Sequence, residues 1–310
     1  MNDVRSYPRF EGLRTFMRVE YEPDPVNADV VILGAPFDTT ASYRSGARFG
    51  PEAIRRVSSL LRPANIYHKI RPGDYLHIVD GGDIMVIPGN TEKSHDFITQ
   101  TIYRWISQGG TPITLGGDHS VALAELRAFA KQHGPVALIQ FDAHGDTWDE
   151  YWGEKYTHGT PFRRAVEEGL LDTSKSTQIG MRGTVYGPGD IEDGRQLGFE
   201  VITMEEVRQL GINETIQIAL NRVGNTPVFI SFDIDCLDPA FAPGTGTPEI
   251  GGFTTFEAQH MIHQLVGLNY VGFDVVEVLP ALDVSEITSL AAATMAFEFI
   301  SLIAHKRSGN

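Results

Sequence analysis

The sequence predicts an α/β fold of three layers, with helices on both faces of a mainly parallel central sheet. Short apolar runs alternate along the chain with longer segments whose apolar residues follow a helical period. Several runs are apolar at most positions, which is typical of strands buried on both faces of a parallel sheet. The 310 residues are 42% hydrophobic and 21% charged, as in a soluble globular protein with a large core.

The strand candidates are short runs, most of them rich in Val, Ile, Leu or Phe. In chain order they are residues 29–33, 111–115, 136–141, 176–179, 199–202, 228–232 and 270–278. The helix candidates lie between them, and Pro51 suits the first turn of the first helix. They cover residues 50–61, 95–108, 120–132, 204–210, 254–266 and 285–305.

The last helix candidate contains the longest apolar stretch of the chain. Thr288, Glu298 and Ser301 interrupt this stretch, which favours a packed helix over a membrane span. No linker, low-complexity segment or fixed-period repeat divides the sequence, so we expect a single domain over residues 1–310. Residues 1–27 are polar, aromatic and proline-containing, and are expected to form an arm outside the core.

The charge and the cysteine content limit the classes of function. The formal net charge of −15, from 25 Lys and Arg against 40 Asp and Glu, argues against nucleic acid or an anionic membrane as a partner. The one cysteine, Cys236, excludes a disulfide scaffold and favours a reducing compartment. The first residues lack a hydrophobic signal core, so a cytoplasmic location is expected.

Three clusters of acids and imidazoles each follow a strand candidate. They read GGDHS at residues 116–120, DAHGD at 142–146 and DIDCLDP at 233–239. Ligands of open α/β sheets bind beyond the carboxyl ends of the strands, where all three clusters lie. Because unpaired ionised carboxylates are costly to bury, the clusters predict a catalytic centre that holds divalent cations.

The spacing within the clusters indicates which side chains are the ligands. Alternate side chains of an extended segment share a face, which aligns Asp142 with His144 and Asp146, and Asp233 with Asp235. The candidate ligands are His119, Asp142, His144, Asp146, Asp233 and Asp235. Six ligands suit two ions, and oxygen donors with a minority of imidazole favour manganese over iron, cobalt or zinc. A single Asp after a strand is usually a turn or cap residue, but three clusters at three strand ends favour the metal site.

Glu277 lies near the end of the last apolar run. A carboxylate buried there needs a cation or a metal, or else a salt bridge to a structural arginine. The residues alone leave these alternatives open.

The three clusters, with the last extended to SFDIDCLDPAFAPGTGTP, together resemble the ureohydrolase family, which includes arginase, agmatinase and guanidino-acid hydrolases. The resemblance extends from GAPFDTTASYRSGARFGPEAIR, which begins at Gly34, to the final helix. The segment SEITSLAAATMAFE at residues 285–298 is similar to the C-terminal helix of the agmatinase branch. The resemblance implies an arginase-like fold, homo-oligomers (trimers or hexamers) and two Mn²⁺ ions per subunit.

The resemblance also implies a role for each site residue. One ion is expected to bind His119, Asp142, Asp146 and Asp233. The other ion is expected to bind Asp142, His144, Asp233 and Asp235. Water activated by the ions attacks the guanidinium carbon in this family. Glu277 matches the glutamate that orients the guanidinium, Asp146 passes a proton to the leaving nitrogen, and His158 in THGTPF matches a histidine suited to proton shuttling.

Departures from arginase indicate a different substrate. Trp148, Tyr156 and Gly183 stand where arginase has polar residues that bind the α-amino and α-carboxylate groups of arginine. The loop acids are expected to attract a distal ammonium, with aromatic rings along the tether. These acids are Asp149, Glu150 and Glu154, and the rings are Trp148, Tyr151 and Trp152. The leading hypothesis is therefore hydrolysis of agmatine to putrescine and urea.

Three alternatives remain. Lys155, Arg163 and Arg164 suit the carboxylate of a guanidino acid such as guanidinobutyrate or guanidinopropionate. A binuclear metallophosphoesterase shares DxH and GD motifs, but its GNHE or GNHD motif is missing and the order of the clusters does not fit. A metal-stabilised binding or scaffold protein is disfavoured because the complete set of ligands, together with Glu277 and His158, is present.

Overall fold

The computed structural model describes residues 8–25 and 27–309, in which nine strands form one sheet with parallel pairing throughout. The strands are β1 (Glu20–Tyr21), β2 (Val30–Gly34), β3 (Ile78–Asp83), β4 (Thr111–Leu115), β5 (Ala137–Phe141), β6 (Thr177–Met181), β7 (Glu200–Thr203), β8 (Pro227–Asp233) and β9 (Asn269–Val276). Their spatial order is β1-β3-β2-β4-β9-β8-β5-β6-β7.

In the described part of the chain, nine α-helices pack around the sheet. They are α1 (Gly50–Ser58), α2 (Thr91–Ile106), α3 (Val121–His133), α4 (Pro161–Glu167), α5 (Asp190–Gln196), α6 (Met204–Leu210), α7 (Ile212–Val223), α8 (Thr255–His263) and α9 (Ile287–Ser308). Two apolar clusters form the core: α1, α7, α8 and α9 pack in one, and α2, α3 and α4 pack in the other. The predicted α/β class with helices on both faces is confirmed.

The alternation of side chains along β2 shows why both faces are apolar. Val30 and Ile32 join the first apolar cluster, while Val31 and Leu33 join the second. Successive side chains of a strand point to opposite faces, so a strand covered on both sides needs apolar residues at every position.

The strand order brings distant segments of the chain together. The four central strands are β4, β9, β8 and β5. Leu115 of β4 and Phe232 of β8 both pair with Val275 of β9, and Phe232 pairs in turn with Phe141 of β5. These strands therefore end at the same edge of the sheet, and the segments that follow them converge there.

Each predicted strand and helix has a counterpart in the structure, with shifts of a few residues at the ends. The sequence prediction missed β1, β3, α4, α5 and α7. β3 reads IVDGGD, and Gly81 has no room for a side chain because a Cβ would lie 2.7 Å from Leu33 Cδ2. Because four of its six residues are glycines or acids, β3 contains no apolar run from which a strand would be predicted.

The prediction that residues 1–27 form an arm outside the core is wrong for Phe16 and Met17. Both side chains are buried in the first apolar cluster. The backbone N–H of Phe16 donates to Asp80 Oδ2 at 2.7 Å, and that of Met17 donates to Ser58 Oγ at 2.7 Å. β1 then extends the sheet beside β3. The rest of the predicted arm includes residues 1–7 and 26, which lie outside the described residues.

α9 is long and apolar enough to span a membrane by length and composition alone. Its most apolar window is 78% buried inside the protein, however, and the helix packs against α1, α8 and β9. The contacts agree with the predicted packed helix.

Replacing Phe16 by Ala should destabilise the fold. Removing a fully buried aromatic ring costs about 3–5 kcal/mol, so Phe16→Ala should lower the urea midpoint strongly. Phe10→Ala is the matched control, because the ring of Phe10 is 78% exposed. Equal midpoints for the two variants would contradict the placement of Phe16 in the core.

Candidate metal centre

The predicted ligands come from three of the four central strands. His119 lies in the turn between β4 and α3, and the DAHGD segment follows β5. Asp233 is the last residue of β8, and Asp235 lies in the short 3-10 turn Ile234–Cys236 that comes next. Asp146 has a positive φ of 49°, a conformation that is rare and strained for residues with side chains and is common at functional sites.

The first group of candidate ligands surrounds Nδ1 of His119. This nitrogen lies 3.1 Å from Asp142 Oδ2, 2.9 Å from Asp146 Oδ2 and 3.2 Å from Asp233 Oδ2. All four residues are buried, yet Nδ1 has no hydrogen-bond partner of acceptable geometry among the described residues. Four ligand atoms that approach one point without hydrogen bonding to each other fit a shared cation.

The second group surrounds His144. Its Nδ1 lies 3.1 Å from Asp235 Oδ2 and 3.6 Å from Asp142 Oδ1. Asp142 belongs to both groups, which suits the bridging role implied by the family resemblance. Asp233 contacts the imidazole of the first group through Oδ2, its Oδ1 accepts the backbone N–H of Asp235 at 2.8 Å, and no contact with His144 is recorded for it in the described structure, although the resemblance implies that it serves both ions. The structure thus brings together all six predicted ligands.

Electrostatics within the cluster also favour cations. Burial and the charges of Asp235 and Asp142 raise the pKa of Asp233 well above its ordinary value. Burial and the charge of Asp142 raise the pKa of Asp146 to about 6. Two divalent cations would offset the repulsion among the carboxylates, and oxygen donors with two imidazoles form a suitable ligand set. The residues therefore fit the two cations that the sequence predicts.

Glu277 lies beside the metal ligands and contacts a histidine rather than the arginine considered as an alternative. Its Oε1 accepts the backbone N–H of His119 at 2.9 Å and lies 3.0 Å from His158 Nδ1. His158 Nε2 in turn lies 2.7 Å from Ser42 Oγ. Like Asp146, Glu277 has a positive φ, here 63°. The arrangement leaves Oε2, which faces Gly246, without a hydrogen bond from the described residues, so it is available to a guanidinium.

A pocket of about 400 Å³ opens onto the candidate ligands. His144, Asp146, Asp233, Asp235 and His158 line its inner part. An aromatic group lines its side: Trp148, Tyr151 and Tyr186, whose ring centroids lie 5.4–5.9 Å apart. Such a pocket suits a small molecule with a planar polar head and an aliphatic tether.

The loop acids predicted to bind a distal ammonium do not line this pocket in the described structure. Asp149 forms an ion pair with Arg164 at 2.6 Å. Of the predicted aromatic residues, Trp148 and Tyr151 line the pocket, but Trp152 is 79% exposed outside it. The predicted attraction of an ammonium by these acids therefore lacks structural support.

Two charged residues that the sequence analysis did not select lie in the pocket instead. Arg44 is the one Lys or Arg residue among the described residues that line the pocket, and Glu249 is an acid in addition to the candidate metal ligands. Gly183 makes room for Glu249, because a Cβ at residue 183 would clash with the Glu249 carboxylate. The segment ASYRSGARFG contained the only available signal for Arg44, through its similarity to the ureohydrolase family.

Buried acids hold the loop that carries Ser42 and Arg44. Asp118 of the GGDHS segment accepts the backbone N–H of Thr40 at 3.0 Å and its hydroxyl at 2.7 Å. Asp38 accepts the backbone N–H of Gly46 at 2.6 Å. The first cluster therefore contributes one candidate metal ligand and one carboxylate that positions the wall of the pocket.

Comparisons with known proteins agree with this geometry. The arginase family model matches residues 28–301. The chain belongs to the arginase family. A guanidinopropionase of Pseudomonas aeruginosa is 47% identical over 304 residues, which cover 97% of this chain and 95% of that protein. An agmatinase of Neisseria meningitidis serogroup C is 43% identical over 299 residues, which cover 94% of this chain and 93% of that protein.

A solved structure supports the same assignment of fold. Proclavaminate amidino hydrolase from Streptomyces clavuligerus has a TM-score of 0.93 and 40% identity, with coverage of 97% of this chain and 100% of that chain. This arginase-family chain is accordingly a hydrolase of guanidino compounds. The predicted resemblance to ureohydrolases is confirmed, and the metallophosphoesterase and scaffold alternatives lose their support.

Replacing Asp235 by Asn should lower the occupancy of one cation site. Asp235→Asn removes a buried charged oxygen beside His144, so we expect bound manganese to fall from about two ions toward one. Equilibrium dialysis with elemental analysis measures this ratio. Asp24→Asn is the control, because its carboxylate is 83% exposed and far from the pocket. Unchanged occupancy in Asp235→Asn would remove this residue from the site.

The pair of His158 and Glu277 should make the metal-free protein depend on pH. Burial tends to lower the pKa of His158, but the hydrogen bond and charge of Glu277 raise it from 6.5 to about 9. A raised folded-state pKa stabilises the protein fully below about pH 6.5, and this contribution is lost as pH rises through about 9. We therefore compare the urea midpoint of the metal-free wild type with that of metal-free His158→Gln. The difference between the two midpoints should be larger at pH 6 than at pH 10. A gap that does not change with pH would refute the coupling.

Proposed function

We propose that this protein hydrolyses the guanidinium group of a small linear guanidino acid, of the size of guanidinopropionate or guanidinobutyrate, and depends on manganese. The observation that carries the choice of substrate is Arg44, the basic residue of the pocket. An arginine pairs with a carboxylate in a bidentate manner, as the distal end of such an acid requires. The guanidinopropionase from Pseudomonas aeruginosa, 47% identical, is consistent with this choice.

Glu277 would orient the guanidinium. Its carboxylate is held by the backbone of His119 and the ring of His158, and its second oxygen lies near Gly246, a residue of the pocket wall. A carboxylate in a fixed position pairs with the planar guanidinium group and so fixes the orientation of that plane relative to the attacking water. Glu277 thereby lowers the entropy cost of reaching the reactive arrangement.

Hydrolysis adds water to the guanidinium carbon and releases urea and an amine, so one proton must reach the leaving nitrogen. His158 lines the pocket, and its Nδ1 lies 3.0 Å from Glu277 Oε1, so it can hold and pass a proton at this position. Asp146 lines the same space and is a second proton carrier in this proposal. When bound, two manganese ions supply the Lewis acidity that lowers the pKa of water near the ligands.

Agmatine is a second candidate substrate, and it was the leading hypothesis from the sequence. Glu249 favours it, because a carboxylate at the pocket wall attracts the distal ammonium of agmatine. The agmatinase from Neisseria meningitidis, 43% identical, is consistent with this alternative. Arg44 and Glu249 therefore make opposite predictions about the charge at the far end of the substrate.

Urea release by the manganese-loaded protein decides between the candidates. The panel consists of guanidinopropionate, guanidinobutyrate, agmatine and arginine at equal concentrations. We expect the highest kcat/KM for one of the two guanidino acids. Turnover of agmatine alone would overturn the choice of a guanidino acid, and no turnover of any member would contradict the proposed function.

Replacing Arg44 by Gln should discriminate between the substrates. Arg44→Gln removes the positive charge and should lower kcat/KM for the guanidino acid by about 3- to 10-fold, since the residue is exposed and its ion pair is screened. Agmatine turnover should not fall. Glu249→Gln is the matched variant with the opposite expectation. A loss for agmatine alone in Arg44→Gln would show that Arg44 does not bind a carboxylate.

A further inference from the structure

A row of polar side chains crosses the centre of the otherwise apolar sheet. The row consists of Thr114, Asp274, Ser231, Gln140 and Gln178, one from each of the strands β4, β9, β8, β5 and β6. Each residue pairs in register with the next across the sheet, and all five side chains are fully buried. Polar groups are costly to bury, so a continuous row of them indicates a purpose that apolar packing does not serve.

The row contacts two of the candidate metal ligands from behind. Ser231 Oγ lies 2.8 Å from His119 Nε2, on the side of the ring opposite the nitrogen that faces the carboxylates. Gln140 Nε2 donates to Asp142 Oδ2 at 2.7 Å, and Gln178 Nε2 donates to Gln140 Oε1 at 2.6 Å. The row therefore orients one ligand imidazole and one ligand carboxylate.

Asp274 and a helix residue, Glu125, supply the charge of the row. Both are fully buried, and Thr114 lies beside both, because it pairs in register with Asp274 and contacts Glu125. Thr114 donates to Glu125 Oε1, and the backbone N–H of Phe232 donates to Asp274 Oδ1 at 3.0 Å. The two remaining oxygens, Glu125 Oε2 and Asp274 Oδ2, have no donor among the described residues.

One shared proton satisfies both of these oxygens. Two ionised carboxylates cannot lie side by side without a cation, and no Lys or Arg is recorded in contact with either residue in the described structure. With a proton held between Glu125 and Asp274, the pair carries a single negative charge. Ser231 pairs in register with Asp274, and its hydroxyl oxygen lies 2.8 Å from Nε2 of His119.

We propose that Glu125 and Asp274 share a proton and, through Ser231, position His119 as a metal ligand. The Nε2–H of His119 donates to Ser231 Oγ, and the Ser231 hydroxyl donates to the charged pair. This chain leaves Nδ1 unprotonated and directed toward the carboxylates Asp142, Asp146 and Asp233. It also makes the imidazole more basic, as outer carboxylates do for metal-bound histidines. The inference rests on the proposed metal dependence of the same site.

Manganese binding measured site by site tests this proposal. Isothermal titration of metal-free protein with Mn²⁺ gives the two dissociation constants. We expect Ser231→Ala and Asp274→Asn to weaken one of the two sites about 10- to 100-fold and to leave the other unchanged. Glu125→Gln should bind nearly as the wild type, because its amide donates to Asp274 and keeps that residue ionised.

Controls separate positioning from general damage to the fold. Glu298→Gln alters another buried carboxylate, distant from the pocket and bonded to Asn65 and Gln259, and it should bind both ions normally. The urea midpoint of metal-free Ser231→Ala should stay close to that of the wild type. If Asp274→Asn does not fold, the proposal is tested with Ser231→Ala alone. This variant removes a single hydroxyl group and is therefore the smaller change to the fold.

The outcomes distinguish this inference from the proposed function. Wild-type protein that binds no manganese would contradict the metal dependence itself. Wild-type protein with two sites, together with unchanged constants in Ser231→Ala, would overturn the positioning chain alone. Equal weakening of both sites would also overturn it, since only the group around His119 contacts Ser231.

Discussion

The structure depends on the burial of four carboxylates and two imidazoles at one edge of a parallel sheet. Burial and mutual repulsion raise the pKa of Asp233 and Asp146, so the metal-free arrangement is electrostatically costly. Divalent cations offset that cost, and their binding free energy becomes part of the stability of the fold. The strand order satisfies this constraint, because it places β4, β8 and β5 around β9, whose next residue is Glu277.

The remaining features of the site support the same cluster. The polar row holds the ligands from inside the sheet, and Asp118 and Asp38 hold the loop of the pocket wall from outside. Asp146 and Glu277 have positive φ angles within segments that many contacts determine. Such strained backbone persists where the surrounding structure compensates for it, which is why it occurs beside the ligands.

The sequence predicted the central part of the fold well and the periphery less well, and its six candidate metal ligands lie together in the structure. Seven strands were predicted because most of them are short runs rich in apolar residues, and the six candidate ligands were selected by the DxHxD and DxD spacing at strand ends. β3 was missed because its glycines and acids carry no apolar pattern. The burial of Phe16 was missed because a polar segment with few apolar residues gives no periodic signal, although a single ring can fill the core.

The sequence by itself determined the α/β class and the family, since these follow from local patterns and from residues adjacent in the chain. Only the tertiary structure decided which charged side chains line the pocket. Asp149 is near the ligands in sequence but pairs with Arg164, whereas Arg44 and Glu249, about 200 residues apart, line one cavity. The physical reason is that loop side chains are placed by long-range packing and ion pairing, for which spacing along the chain carries no information.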